Sequence, residues 1–262
     1  MERLTVDEVR EIQMQIADEV AAICEAHGLT YYLSSGNLLG AARHKGFIPW
    51  DDDLDLMMLR DDYDTLVEHF DEWRSSDRFA IQAPRKLNSP NYMAKVIDTT
   101  TFVKQTYIRE EYCSGLWVDI FPLDWVTPEA EEIKKRCYLL KRIGFVAATD
   151  PRSGSTLPIK LAKRIVCPIA RLFVSPQLIA NEVDSLSRAQ SRVPSDAVCL
   201  YGGKRRRLLK YDYAWMAETV KLPFEDREYW APIGYEECLT AEYGDWRTPV
   251  EAPAHFAEAY RL

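Results

Sequence analysis

Four carboxylates crowd five positions in GFIPWDDDLDLMM (Gly46 to Met58), where Asp51, Asp52, Asp53 and Asp55 run straight into apolar residues. In an extended chain, residues two apart share a face, so Asp53 and Asp55 point together, Asp51 can join them, and Leu54 and Leu56 turn to the core. Two ionised carboxylates at ~6 Å in an effective dielectric of ~20 repel by about 2–3 kcal/mol, a large share of a domain's stability. A divalent cation removes that cost. The alternative is a solvated acidic turn, which gives no reason for the interleaved leucines. An EF-hand loop fits badly, because Leu56 stands where Gly is needed and Asp62 where Glu is needed. Hard oxygen ligands in this number suit Mg²⁺, or Mn²⁺ in its place, with a substrate's phosphates completing the shell.

Phosphate needs a cradle of its own, and LSSGNLLG (Leu33 to Gly40) offers one upstream. A strand ending in small polar residues before a helix start lets Ser35, Gly36 and Asn37 present backbone N–H groups and a positive dipole end to an anion. A plain turn and cap is the competing reading of the same residues. Arg43, His44 and Lys45 follow, either as charge for a leaving diphosphate or as an ordinary basic helix end. A further carboxylate, Asp119, lies between Val118 and Ile120 in GLWVDIFPLD, an apolar segment where an unpaired charge would be costly. It reads as a third metal ligand, or as an Asp tied to a neighbouring loop. Lys204, Arg205, Arg206, Arg207 and Lys210 stand beside Tyr211, Tyr213 and Trp215. That mixture suits an anionic or sugar-bearing substrate, although a solvated basic loop has the same composition.

The elements that must hold these groups follow from periodicity. Val9, Ile12, Ile16, Val20 and Ile23 recur at helical spacing after a Thr5/Glu8 capping box, and Gly28 ends the helix. A short strand over 30–35, a helix from about 36, a strand at DLDLMML and a helix over 61–74 come next. Strands are expected at 79–82, 92–97, 101–105 and 115–121. Helix and strand alternate as in an α/β (α+β) fold, a small mixed sheet with flanking helices. From Glu129 helical patterns dominate. The expected organisation is a catalytic core over 1–128 and a mainly helical region over 129–262, packed on the core as one unit and contributing to substrate binding.

Composition narrows the function classes. A formal net charge of -8 argues against nucleic acid as a partner. The six cysteines are far apart and form no zinc pattern, as expected of reduced thiols in a cytoplasmic protein. The start of the chain reads as an acidic amphipathic helix, with no expectation of a secretory signal. Between Lys134 and Arg171 ten basic residues face one acid, Asp150. Within that span LPIKLAKRIVCPIARLFV (Leu157 to Val174) reads either as a membrane-peripheral amphipathic helix or as a core helix interrupted at Pro168.

Taken together, Ser35 to Gly40, Arg43 to Asp53, Asp119 to Asp124 and Tyr243 to Trp246 resemble the LicD family of phosphotransferases, which includes bacterial phosphocholine transferases and animal fukutin-type enzymes. Asn37 departs from the pattern, where Thr is common. The resemblance implies a nucleotidyltransferase-like core that binds Mg²⁺ and a CDP-linked donor. Its members transfer phosphocholine or a polyol phosphate to a hydroxyl of a cell-surface glycan or its lipid-linked precursor, and CMP leaves. It implies Asp53, Asp55 and Asp119 as metal ligands with Asp51 assisting, Ser35 and Gly36 as the phosphate turn, and substrate contacts from Tyr243, Asp245 and Trp246. Two rivals stand beside it: a metal-dependent glycosyltransferase using a nucleotide sugar, for which only about 50 residues precede the acids, and a non-catalytic cation-binding or scaffold protein.

Overall fold

The computed structural model describes residues 1–86, 89–154, 156–203, 205–250, 253–254 and 256–262. After a two-residue strand β1 (Glu2–Arg3), α1 (Val6–His27) starts where its sequence says it should. The Thr5 hydroxyl accepts the Glu8 N–H, the Glu8 carboxylate accepts the Thr5 N–H, and Gly28 closes the helix in the left-handed conformation with φ 68°. β2 (Tyr32–Leu33) is shorter than expected and hands over at once to α2 (Ser35–His44). β3 (Asp55–Leu59) and α3 (Arg60–Trp73) follow, then β4 (Phe79–Gln82), β5 (Ala94–Asp98), β6 (Thr101–Val103) and β7 (Trp117–Trp125).

These strands build a curled mixed sheet in the order β2-β3-β7-β5-β4. Its central pair, β3 and β7, is parallel and the rest is antiparallel. The parallel register sets Asp55 beside Asp119. Leu54, Leu56, Met57 and Met58 are all buried, so the strand has no solvent face and the alternation expected of DLDLMML is absent. Helices α2 and α3 pack against β3 itself, while α1 packs against the neighbouring β5 and β7, so the strand is covered by protein.

The region after Glu129 is mainly helical, with α4 (Ala130–Ala148), α5 (Leu157–Phe173) and α6 (Pro176–Gln190) in succession, and it also carries short strands that the sequence pattern did not show. Strand returns as β8 (Ala197–Cys199) and β9 (Lys210–Asp212). After the short α7 (Tyr213–Met216) come the hairpin β10 (Thr219–Phe224) and β11 (Arg227–Pro232), α8 (Tyr235–Tyr243) and β12 (Ala259–Arg261). Three-residue strands carry too little alternation to be read from sequence. They also stitch the two parts together: β8 extends the sheet from the end of β7, and β12 lies between β1 and β6.

A buried ion network locks α3, β7 and α6. Arg60 donates to both oxygens of Asp124 at 2.7 and 2.9 Å and to Asp184 at 2.7 Å, while the Ser191 hydroxyl donates to Asp124 at 2.6 Å. All six cysteines are free thiols. Among the described residues, no helix is long and apolar enough to cross a membrane.

Candidate active site

The acidic loop is held in place from three directions before its carboxylates do anything. From α1, the Arg10 guanidinium donates to the carbonyls of Ile48, Pro49 and Asp51 at 3.2, 3.3 and 2.6 Å. From α2, Asn37 spans Leu54: its Nδ2 donates to the Asp53 carbonyl at 2.8 Å and its Oδ1 accepts the Asp55 N–H at 2.7 Å. From the C-terminal segment, the Ala257 N–H donates to Asp52 Oδ2 at 2.6 Å, which turns Asp52 away from its neighbours. Gly40 permits the approach of α2, since a Cβ there would collide with the Gly46 carbonyl.

The acids left over face a cavity of about 310 Å³. Asp51, Asp53 and Asp55 line it with Ser35 and Gly36, and Arg205, Arg207, Tyr211, Glu242 and Tyr243 close the opposite side. Asp53 and Asp55 converge although only Asp55 belongs to the strand; Asp53 reaches the cavity from the loop. Ser35 sits at φ 44°, an uncommon conformation for a residue with a side chain. Gly36 lies against Asp51, since a Cβ there would stand in van der Waals contact with Asp51 Oδ2 at 3.4 Å.

Glu242 is the hub of the far wall. It accepts from the Tyr211 hydroxyl at 3.2 Å and lies 3.5 Å from Arg205, whose guanidinium also donates to the Glu242 carbonyl at 2.8 Å. Burial raises its carboxyl above the ordinary range, against the opposing pull of Arg205 and of hydroxyls that include Tyr211 and Ser35. Lysines of α4 anchor the preceding loop. Lys134 donates to the carbonyls of Leu200, Tyr201 and Gly203, and burial pushes its ammonium down to about 8; Lys141 donates to those of Gly202 and Gly203.

A second cavity, of about 380 Å³, opens on the other side of Asp53. Asp53 and Asp119 line it together with Tyr92, Lys95, Tyr107, Trp117, Lys141 and Phe145. Asp119 does not stand in the first cavity. Its Oδ1 is 3.2 Å from Lys95 Nζ, which also rests 3.6 Å from the centre of the Trp117 ring. A cation that the sequence pattern did not single out therefore answers this charge.

Comparison with known proteins finds likeness to one family of transferases. Residues 28–147 match the model of the LicD/FKTN/FKRP nucleotidyltransferase domain. The chain carries a LicD-family domain. Along the full length of both chains it is 29% identical, over 281 aligned residues, to lipopolysaccharide cholinephosphotransferase LicD of Haemophilus influenzae. A 48-residue stretch is 48% identical to ribitol 5-phosphate transferase FKRP of Homo sapiens, covering 18% of this chain and 10% of that one. These likenesses are to phosphotransferases, and an enzyme of the transferase class is what they support for this chain.

The residues expected from sequence sort cleanly. Ser35, Gly36, Asp51, Asp53, Asp55, Arg205, Arg207, Tyr211 and Tyr243 meet around one cavity. Asn37 is a brace for the acids instead of a lining residue. Arg43, His44 and Lys45 do not line either cavity: Arg43 donates to His44 and to the Trp246 carbonyl, and Lys45 is the left-handed cap of α2 whose carbonyl accepts the Glu225 N–H. Trp246 is buried and exposed Asp245 accepts from the Thr248 hydroxyl, so of this motif only Tyr243 lines a cavity, and exposed Arg206 lies off both cavities. Lys204 lies outside the described residues. Sequence reasoning missed Asn37's bracing role, Arg10, Lys95 and Glu242; of these only Glu242 had a nearby signal, one residue before the Tyr243 to Trp246 segment.

Among the described residues, no group of three or more His, Cys, Asp or Glu side chains is arranged to hold a metal ion alone. Mg²⁺ commonly takes only one or two protein carboxylates and fills its other positions with water and substrate phosphate. Asp53 and Asp55, on one cavity beside a Ser-Gly turn, are a donor set of that kind.

Proposed function

We propose that this enzyme transfers a phosphorylated alcohol, phosphocholine or a polyol phosphate, from a CDP-linked donor to a hydroxyl of a glycan or its lipid-linked precursor, releasing CMP. One observation carries the reading: Asp53 belongs to both cavities, so a group held over it is reachable from either side. The cavity of Ser35, Gly36, Arg205 and Arg207 suits the donor's diphosphate, and the aromatic cavity of Tyr92, Tyr107 and Trp117 suits an acceptor. The relative from Haemophilus influenzae is named for choline phosphate and lipopolysaccharide, and FKRP for ribitol 5-phosphate, which supports the same substrate classes here.

Asp53 and Asp55, with Asp51 beside them, would hold Mg²⁺. When bound, the ion supplies neutralising charge for the donor's phosphate oxygens. The backbone at Ser35 and Gly36 orients the transferred phosphoryl group, while Arg205 and Arg207 take the leaving-side charge that the sequence pattern gave to Arg43, His44 and Lys45. The acceptor oxygen bonds to phosphorus as the bond to the CMP oxygen breaks, and its proton passes to Asp119 in the second cavity. Catalysis of this sort is positioning and electrostatics, which fits a site whose acids are braced before any substrate arrives.

The test is CMP release from CDP-choline, CDP-glycerol and CDP-ribitol with Mg²⁺, beside a panel of UDP-sugars. Release of CMP from one of them, lost in Asp53→Asn and Asp55→Asn variants that still melt cooperatively, supports the reading. UDP release from a nucleotide sugar would move the assignment to a glycosyltransferase, and silence with every donor to a binding protein.

A further inference from the structure

Helix α5 presents its apolar side outward. Over Leu157–Phe173 only Cys167 is buried, with Lys163 and Ala170 half-buried, and at about 100° per residue these three mark the side turned to the protein. The opposite side carries Leu161, Ile165, Ile169 and Leu172, flanked by Phe173, and all of them are exposed, Leu172 to 81% and Phe173 to 83%. An amphipathic helix of a globular protein normally does the reverse. The helix is continuous through Pro168, so the alternative of an interrupted core helix does not hold.

Charge says what covers this face. Lys160, Arg164 and Arg171 run along one border of the apolar stripe, and α5 contains no acid. Neighbouring α4 adds exposed Lys135, Arg136 and Arg142 and exposed Leu139, Ile143 and Phe145. The acids facing these groups are few: Arg171 pairs with Glu111 at 2.8 Å, Arg136 with Glu182 at 3.0 Å, and Lys135 is 4.0 Å from Glu132. From Lys134 to Arg171 the balance is ten basic residues to one acid, in a chain of net charge -8. A second copy would bring like-charged borders together and is disfavoured. An anionic bilayer offers hydrocarbon for the stripe and phosphates for its border.

We propose that α5 is a lipid-docking helix, lying in the headgroup region of an anionic membrane with Leu161, Ile165, Ile169, Leu172 and Phe173 inserted and Lys160 and Arg164 on lipid phosphates. The aromatic cavity reaches the same part of the molecule, because Tyr107 and Phe145 line it and α5 packs against α4. Docking so would place the cavity that holds Asp53 and Asp119 close to a lipid surface. The inference stands on α5 alone and does not depend on the donor or the reaction.

Its test is co-sedimentation of the full chain with phosphatidylcholine vesicles, with and without phosphatidylglycerol. The wild-type chain should pellet with the anionic vesicles. Lys160→Glu/Arg164→Glu should bind roughly 30-fold more weakly, and Leu172→Glu/Phe173→Glu should lose binding, both with unchanged thermal melts because every altered residue is exposed. Failure to pellet with either vesicle, or undiminished binding by Leu172→Glu/Phe173→Glu, overturns the proposal. So does a lipid-free dimer in sedimentation velocity that Leu172→Glu/Phe173→Glu dissolves, which would give the face to a second copy.

Discussion

Asn37 accepts the amide N–H of Asp55 at 2.7 Å while donating to the Asp53 carbonyl at 2.8 Å, so one side chain fixes the backbone on both sides of Leu54. A Thr at this position has a single oxygen and cannot span both groups. Asn37→Ala leaves a buried backbone donor and acceptor to find new partners, at a cost of about 1–3 kcal/mol. On the proposed reaction we expect kcat to fall at least ~10-fold with a smaller change in KM for the donor, because the acids are displaced while Arg205 and Arg207 remain. Steady-state kinetics with the proposed CDP-linked donor checks this.

The Arg60–Asp124–Asp184 network is structural. Arg60→Ala strips the cation from buried Asp124 and leaves buried Asp184 only its pair with Arg85, and losing one partner of such a buried pair typically costs about 3–5 kcal/mol. A urea melt should show the midpoint falling with little change in slope.

Asp119 and Lys95 are a coupled pair across β7 and β5. Each of Asp119→Asn and Lys95→Met should lower stability, and the double variant should recover part of the loss, a signature of direct interaction in a double-mutant cycle. If Asp119 were instead relieved only by a metal, Asp119→Asn would stabilise the metal-free protein.

Glu242 gives the site a pH dependence. Its folded carboxyl is raised, chiefly by burial, so near the ordinary carboxylate value the folded chain binds a proton that the unfolded chain has released. The stability contributed by this group is therefore fully present below the unfolded value and is lost as pH rises through the folded one. Glu242→Gln should remove that component. Denaturant melts across the acidic range should show the wild-type advantage over the variant shrinking as pH increases.

Much of the framework was legible because it is local. Thr5, Glu8 and Gly28 mark both ends of α1 within the sequence, and β4 falls where its alternation put it. The acids were legible because carboxylates packed so densely among leucines repel one another at a cost that a fold bears only when something answers the charge. What could not be read depends on distant partners: Arg10 reaches the acidic loop across 41 residues, and Lys95 meets Asp119 only once β5 and β7 are paired. The placement of Asp53 outside the strand was hidden too, since its convergence with Asp55 comes from Asn37 instead of the pleat. Arg43, His44 and Lys45 could be read either way, because a basic helix end satisfies the dipole whether or not a phosphate is near.

The bond from Ala257 to Asp52 ties a segment some two hundred residues away to the acidic loop, and β12 completes a sheet with β1 and β6. During synthesis this tie forms only after residues 257–261 leave the ribosome, so a nascent chain, folding from its N-terminal end first, carries Asp51, Asp52, Asp53 and Asp55 for some two hundred residues before Asp52 gains its Ala257 partner.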